Sequence, residues 1–212
     1  MRNAIVLAFG LACAILVAGC DAGSPFALGG RADSITLLSY NVQNLFDAHD
    51  DGTEYRDYDP GAGTWNSRLA AAKLRAVADA IEESVPGGPD IVGLQEVENP
   101  AVLSELAEVY LSGRGYHWTV CEPAPGAAVN TAVLSKLPVV EARTHLVHTA
   151  GSDGLRNILE VRVTTDAGDL VVLNNHWKSK REGEEETEPL RLASAAVVSR
   201  RPRASRTAAL PR

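Results

Sequence analysis

The sequence predicts an α/β protein whose sheet is built from short buried strands. Three segments carry this prediction, because each runs from apolar into polar residues: 35–41, 90–96 and 170–175. A short apolar run of this kind is typical of a strand buried on both faces. Ligands usually bind where such strands end, at the edge of an α/β sheet. Asn41, Glu96 and His176 stand at or just after these ends. We therefore expect an amide, a carboxylate and an imidazole to form one site.

Helices are predicted between the strands. Asn66 or Ser67 is suited to cap a helix that continues to Ile81, since apolar residues recur there at a helical period. The segment Pro86–Pro89 ends that helix, and a shorter helix is predicted around 102–111. The second half of the chain is richer in strands, which we predict at 116–121, 129–134, 139–148, 155–164 and 170–175. A charged loop at 181–188 and a helix over 190–198 complete the prediction.

Residues 1–20 are typical of an export signal. Arg2 precedes the apolar run Ile5–Ala18, which is short for a membrane span. The run closes on Leu-Val-Ala-Gly-Cys20, which resembles the lipobox of bacterial lipoproteins. That resemblance implies acylation of Cys20 and an exported chain anchored to a membrane of the cell envelope. The alternative is an ordinary signal peptide with a chance cysteine and a secreted protein. Residues 21–33 are predicted to be a flexible tether.

The charge of the chain is unevenly distributed. The net charge is −7, but residues 199–212 contain five arginines and no acid, and we expect this tail to be disordered. Residues 20–198 therefore carry about −13. A body this acidic has no general electrostatic attraction for nucleic acid or for an anionic membrane. If the protein acts on phosphates, it needs a bound cation and locally placed basic groups.

Four motifs resemble the endonuclease/exonuclease/phosphatase superfamily, the DNase I-like proteins. The motifs lie at Leu37–Phe46, Asp90–Val97, Thr131–Pro138 and Val172–Lys180. Their order and spacing match the amino-terminal half of that fold, over about residues 34–198. The resemblance implies a four-layer α/β sandwich, in which two β-sheets pack face to face with helices outside. It is closest to the bacterial secreted members.

The same resemblance implies roles for particular residues. Asn41 and Glu96 match the metal-site residues, with Glu96 as the direct ligand of Mg²⁺ or Mn²⁺. His176 matches the histidine that contacts the scissile phosphate, where an imidazolium would donate to a phosphoryl oxygen or to the leaving group. Arg156 falls where the family often has a phosphate-contacting arginine, and Lys178 would add a charge nearby.

Each residue also has a structural alternative when it is considered alone. Asn41 is suited to closing a turn after its strand, and Glu96 to the start of a helix, where acids are favoured. A histidine at a strand end, such as His176, is often structural. Arg156 and Lys178 are of residue types that ordinarily lie on the protein surface. Only the joint placement of these residues, together with the resemblance, favours a site.

The sequence also departs from the family. Its members activate water with an aspartate–histidine pair near the end of the fold, and an earlier Gly-Asp-x-Asn segment positions water and phosphate. Neither motif follows Val198. We therefore expect residues 34–198 to be an incomplete domain, truncated by a frame change or early stop near Ser199. The second sheet would be largely missing, an apolar face of the first would be exposed, and stability would be low.

Two functions follow from these patterns. The first is a metal-dependent phosphodiesterase, with nucleic acid as the expected substrate and with impaired or absent activity in this chain. DNA, RNA, a phospholipid head group and a sugar phosphate all remain open as substrates. The second is a non-catalytic envelope lipoprotein, or a remnant that keeps only part of the scaffold. No protein partner is evident from the sequence.

Overall fold

Two β-sheets packed face to face form the centre of the fold. The computed structural model describes residues 34–148 and 156–200. The predicted signal peptide with Cys20, the predicted tether and residues 201–212 of the predicted tail lie outside the described residues, as does the expected start of a strand at Leu155. The mixed α/β fold class predicted from the sequence is confirmed.

The first sheet has four strands in the order β1-β2-β4-β3. They are β1 (Leu37–Leu45), β2 (Ile91–Val97), β3 (Trp118–Cys121) and β4 (Asn130–Ser135). Strands β1 and β2 are parallel, and β4 is antiparallel to both β2 and β3. The central strands β2 and β4 are buried almost throughout, because other elements cover both of their faces.

Helix α1 (Ser67–Ser84) covers one face of this sheet. The predicted cap is confirmed, since the Oδ1 atom of Asn66 accepts hydrogen bonds from the backbone N–H groups of Arg68 and Leu69. The buried side of α1 meets the sheet and a second helical segment in one hydrophobic core. That segment is α2 (Pro100–Glu105), capped by Asn99 and continued by a π-helical turn over Leu106–Tyr110.

The second sheet is formed by three antiparallel strands. They are β5 (Val139–His145), β6 (Ile158–Thr165) and β7 (Gly168–Asn174), in the order β5-β6-β7. Leu159, Val161 and Val163 of β6 pack against Ile91 and Val133 of the first sheet. The expectation that the second sheet is largely missing is therefore corrected. The sequence placed these strands correctly, but nothing local indicated that they leave the first sheet and cover it.

The carboxy-terminal helix is longer than predicted. A 3₁₀ turn at Lys180–Glu182 precedes α3 (Glu184–Arg200), so the expected charged loop at 181–188 is mostly helical. Three acidic residues occupy the first turn of α3, where their negative charges interact favourably with the positive end of the helix dipole. The helix also includes Ser199 and Arg200, the first two residues of the predicted tail.

Cys121 is a partly buried residue beside the first core. Burial raises the pKa of its thiol to about 12. It is therefore a packed and unreactive side chain. No helix within residues 34–148 and 156–200 combines the length and the apolar character that crossing a membrane requires.

Candidate active site

A bulge at the end of the β1–β2 pair creates the site. The two strands are paired as far as Asn41 and Gln95, and pairing resumes at Leu45 and Val97. Strand β1 thus contributes three residues between these pairs, whereas β2 contributes only Glu96. The extra length turns the strand ends outward and gives Glu96 polar neighbours from β1.

Left-handed backbone conformations are concentrated at this bulge. In the described part of the chain, the non-glycine residues with positive φ are Gln43 (55°), Asn44 (66°) and Glu96 (68°). All three line the same cavity. Such conformations are unfavourable for residues with a side chain and persist where the surrounding contacts impose them, often at functional sites.

The carboxylate of Glu96 is the centre of the site. Its Oε1 atom accepts a hydrogen bond of 3.1 Å from the Asn41 amide, and its Oε2 atom accepts one of 3.1 Å from the backbone N–H of Asn44. The Nε2 atom of His176 lies 3.3 Å from Oε1. The Asn41 Oδ1 atom accepts from the backbone N–H of Gln43 at 2.8 Å, which fixes the amide. The structure therefore brings Asn41, Glu96 and His176 together, as the sequence predicted.

The position of His176 depends on a buried asparagine at the end of β7. The Nδ2 group of Asn174 donates to the carbonyl oxygens of Leu94 (2.7 Å) and Ala132 (2.8 Å) in the first sheet. Its Oδ1 atom accepts from the Gln95 side chain at 2.6 Å. Asn174 thus joins the two sheets two residues before His176.

The imidazole of His176 is neutral at pH 7. Burial, followed by the positive charge of Arg156, lowers its pKa to about 4, although Glu96 opposes the shift. In the metal-free chain this low pKa favours the neutral ring, whereas the resemblance implied an imidazolium in contact with phosphate. Its Nδ1 atom is buried and makes no hydrogen bond within the described chain. A neutral imidazole still offers one N–H donor and one acceptor.

Basic side chains surround Glu96 in an open cavity of about 730 Å³. The cavity wall includes both predicted phosphate-binding residues, Arg156 and Lys178, and adds Lys73 and Arg181. Glu96 is the acidic residue among the residues that line it. Lys178 also forms an ion pair of 2.6 Å with Glu182, so part of its charge is already compensated. An acidic chain thus has a locally basic cavity, which attracts anions.

Several residues of the cavity were not predicted from the sequence. Lys73 of α1 donates to the Gln43 carbonyl oxygen at 3.0 Å, and burial lowers its pKa. Tyr55 and Tyr58, from the loop between β1 and α1, form an aromatic part of the wall. Lys73 gave no signal in the sequence, because it appeared as one more member of a helical pattern. The tyrosines stood in a loop without periodicity.

The donor set suits a small divalent cation. Glu96 supplies a carboxylate at the floor of an open cavity, and Asn41 supplies a neighbouring amide. Magnesium prefers oxygen ligands, takes one or two carboxylates and keeps several waters, for which the cavity has room. The Nδ1 atom of His176 is also buried without a hydrogen-bond partner among the described residues. These residues fit a hydrated Mg²⁺ or Mn²⁺ ion.

Comparisons with known proteins place the fold. The sequence model described as the Endonuclease/Exonuclease/phosphatase family matches residues 36–205. TDP2 from Caenorhabditis elegans has a similar structure, with 21% identity and a TM-score of 0.51 over 77% of this chain and 40% of that one. An endonuclease/exonuclease/phosphatase family protein from Leptotrichia buccalis C-1013-b is 13% identical, with a TM-score of 0.51 over 81% of this chain and 63% of that one. A humanized Danio rerio TDP2 with 14 mutations is 17% identical, with a TM-score of 0.51 over 79% and 61%.

The chain spans between 40% and 63% of the length of these solved structures. Their identities are low, so the likeness concerns the fold. None of the curated proteins compared with the chain matches it significantly.

Proposed function

Since the chain belongs to the endonuclease/exonuclease/phosphatase family, we propose that the cavity around Glu96 is the site of a metal-dependent phosphodiesterase of nuclease type. One observation carries the proposal. A single carboxylate, fixed by Asn41, Asn44 and His176, stands in a cavity whose other charged residues are Lys73, Arg156, Lys178 and Arg181. A cation bound to the carboxylate and an anion bound to the basic wall would complement each other.

Glu96 and Asn41 would hold Mg²⁺ or Mn²⁺. When bound, such an ion neutralises charge on a phosphoryl oxygen and polarises the phosphorus centre. The backbone N–H of Asn44 and the amide of Asn41 keep the carboxylate in one orientation before any ion arrives. Preorganisation of this kind lowers the cost of binding, because the protein does not have to rearrange its dipoles.

The basic wall would bind the phosphodiester. Arg156 can present two N–H groups to two phosphoryl oxygens, whereas Lys73 and Lys178 act as point charges. Neutral His176 would donate one N–H to a non-bridging oxygen, with the ring held by burial between the two sheets. We propose nucleic acid as the substrate, because its backbone supplies the anionic phosphodiester that this wall suits. The overall charge of −7 then favours release of the product.

Turnover requires a base that activates water. Among the described residues that line the cavity, His176 is the histidine and Glu96 the carboxylate, and both already have roles. We therefore propose that the 212-residue chain by itself binds metal and phosphodiester but hydrolyses slowly or not at all. The alternative, a non-catalytic binding protein, rests on the same observation.

We also retain lipidation at Cys20 as a proposal for location, which a shift from the membrane to the soluble fraction in Cys20→Ser would test.

The experiment uses the full chain and a fluorescent single-stranded oligonucleotide. Binding and cleavage are measured with Mg²⁺, with Mn²⁺ and with EDTA, in the wild type and in Glu96→Gln. We expect metal-dependent binding that Glu96→Gln abolishes, together with slow or undetectable cleavage. Binding that persists unchanged in EDTA and in the variant would contradict the proposal. Rapid cleavage by the wild type would confirm the site and overturn the proposed lack of a base.

A further inference from the structure

A second group of carboxylates lies outside the cavity around Glu96. Asp51 and Glu54 come from the loop between β1 and α1, and Glu98 follows the end of β2. One carboxylate oxygen from each of the three lies within 4.8 Å of the others. Oxygen ligands of a Ca²⁺ ion bind at about 2.3–2.6 Å from the ion. Two oxygens on opposite sides of one ion are therefore about twice that distance apart, which is close to the separation within this group.

Glu98 distinguishes this group from an ordinary acidic surface patch. The residue is only 4% exposed, and its Oε1 atom is buried without a hydrogen-bond partner in the described chain. The other oxygen, Oε2, accepts a hydrogen bond of 2.8 Å from the backbone N–H of Asp47. A buried carboxylate oxygen with no donor is unfavourable, and a bound cation would supply the partner that the described residues do not.

Among the described residues, the charged side chains that act on Glu98 are all negative. The side chains that act on it electrostatically are those of Asp47, Glu54 and Asp51. Asp47 and Asp51 both accept from the neutral Asn99 amide, at 3.0 Å and 3.2 Å, and Asp47 also accepts from the backbone N–H of His49 at 2.6 Å. Mutual repulsion of these carboxylates is relieved when a divalent ion lies between them.

We propose that Asp51, Glu54 and Glu98 bind a Ca²⁺ ion that is distinct from the metal at Glu96. Three carboxylates suit Ca²⁺ better than Mg²⁺, since Ca²⁺ accepts six to eight oxygen ligands in flexible geometry and Mg²⁺ usually takes one or two carboxylates. Waters would complete the coordination shell on the exposed side of Asp51. The inference does not depend on the proposed hydrolase function.

The ion would order the aromatic part of the cavity wall. Glu54 directly precedes Tyr55, whose ring contacts Phe46 edge-on at 5.7 Å between centroids. Tyr58 stacks on Phe46 at 4.9 Å and contacts Trp65 at the same distance. Trp65 in turn donates to the Asp47 carbonyl oxygen at 2.6 Å. A cation that ties Asp51 and Glu54 to Glu98 therefore fixes the loop that carries Tyr55 and Tyr58 to the substrate cavity.

The test uses the full chain with Glu96→Gln, which removes the first metal ligand. Calorimetric titration with CaCl₂ and thermal unfolding with and without Ca²⁺ are compared in this background and after adding Asp51→Asn and Glu54→Gln. We expect one bound Ca²⁺ and a higher Tm in the Glu96→Gln chain, and an increase of at least about tenfold in Kd when the two loop acids are changed. Asp51 is exposed and Glu54 is half-buried, and their isosteric neutral replacements should leave the fold intact.

A matched control separates a built site from general charge attraction. Asp57→Asn with Glu83→Gln removes the same charge at two exposed acids outside the group, and it should leave Ca²⁺ affinity unchanged. The proposal is overturned if the Glu96→Gln chain binds no Ca²⁺, or if the loop variant binds as well as its parent. It is also overturned if the control variant weakens binding equally.

A Ca²⁺-dependent change in Trp65 fluorescence, absent in Trp65→Phe, is expected if the ion orders the loop. Binding without that change would contradict the ordering role.

Discussion

The Nε2 atom of His176 lies 3.3 Å from the Oε1 atom of Glu96, although Glu96 lies in the first sheet and His176 follows a strand of the second. Glu96 sits at the bulged end of the first sheet, and His176 follows the last strand of the second. Their side chains are only 19% and 16% exposed. The site therefore exists only when the two sheets are packed together, which makes its geometry a direct report on the fold.

Asn174→Ala should destabilise the protein and weaken the site together. The substitution leaves the Leu94 and Ala132 carbonyl oxygens and the Gln95 amide without their buried partner. A loss of about 2–4 kcal/mol in the free energy of unfolding follows from unsatisfied buried groups. Chemical denaturation measures this loss. Asn175→Ala is the control and should cost little, because the Asn175 side chain makes only local hydrogen bonds: it donates to the Leu173 carbonyl oxygen and accepts from the Trp177 indole N–H at 3.3 Å. Equal losses in the two variants would contradict the joining role of Asn174.

At Gln43 the glycine variant should be more stable than the valine variant, and at Ser39 the valine variant should be the more stable one. Gln43 has a φ of 55°, so Gln43→Gly should be nearly neutral, whereas Gln43→Val should cost about 1–2 kcal/mol. Ser39 lies in the regular, exposed part of β1, where valine should be tolerated and glycine should cost about 0.5–1 kcal/mol. Thermal unfolding of the four variants decides the matter. The same order at both positions would show that the bulge imposes no left-handed conformation.

The free energy of unfolding of the metal-free protein should decrease as the pH is lowered, and part of this decrease should come from His176. Its pKa is about 4 when folded and near 6.5 when unfolded, so between these values protons bind preferentially to the unfolded chain. Stability is thus retained at pH 7 and lost as the pH falls, by about 2 kcal/mol from this group at pH 5. Denaturation in EDTA at both pH values should show a steeper loss in the wild type than in His176→Gln. Identical losses would mean that the imidazole is not buried as described.

Alanine substitutions of the basic side chains should reveal how much each one contributes to oligonucleotide binding in the cavity. Arg156→Ala should weaken oligonucleotide binding by about 1.5–3 kcal/mol, the range for hydrogen bonds to charged groups. Lys178→Ala should have a smaller effect, since Glu182 already neutralises part of that charge. Fluorescence anisotropy at constant ionic strength measures the difference. Lys180→Ala is the control, because Lys180 pairs with Glu184 and is not among the residues that line the cavity. Equal effects at all three positions would indicate nonspecific charge attraction.

The sequence predicted those features that depend on local pattern. The Asn66 cap, the buried strands and the polar residues at their ends are all encoded within a few positions, and the joint appearance of Asn41, Glu96 and His176 followed from them. The bulge was not predicted, because Gln43 and Asn44 are not glycines and gave no sign of positive φ. Lys73 and Glu98 were missed for another reason. Their roles depend on which elements approach them in space, and the alternation along a single strand or helix does not reveal this.

The central claim is that Asn41, Glu96 and His176 share one metal and phosphoryl site. The most direct measurement is the paramagnetic broadening of side-chain NMR signals by Mn²⁺, in a chain carrying Asp51→Asn and Glu54→Gln so that the second group does not compete. We predict selective broadening of the Asn41 amide and the His176 imidazole, and its loss in Glu96→Gln. If Mn²⁺ leaves these two signals sharp, or broadens them equally in the absence of the Glu96 carboxylate, the site described here does not bind a metal.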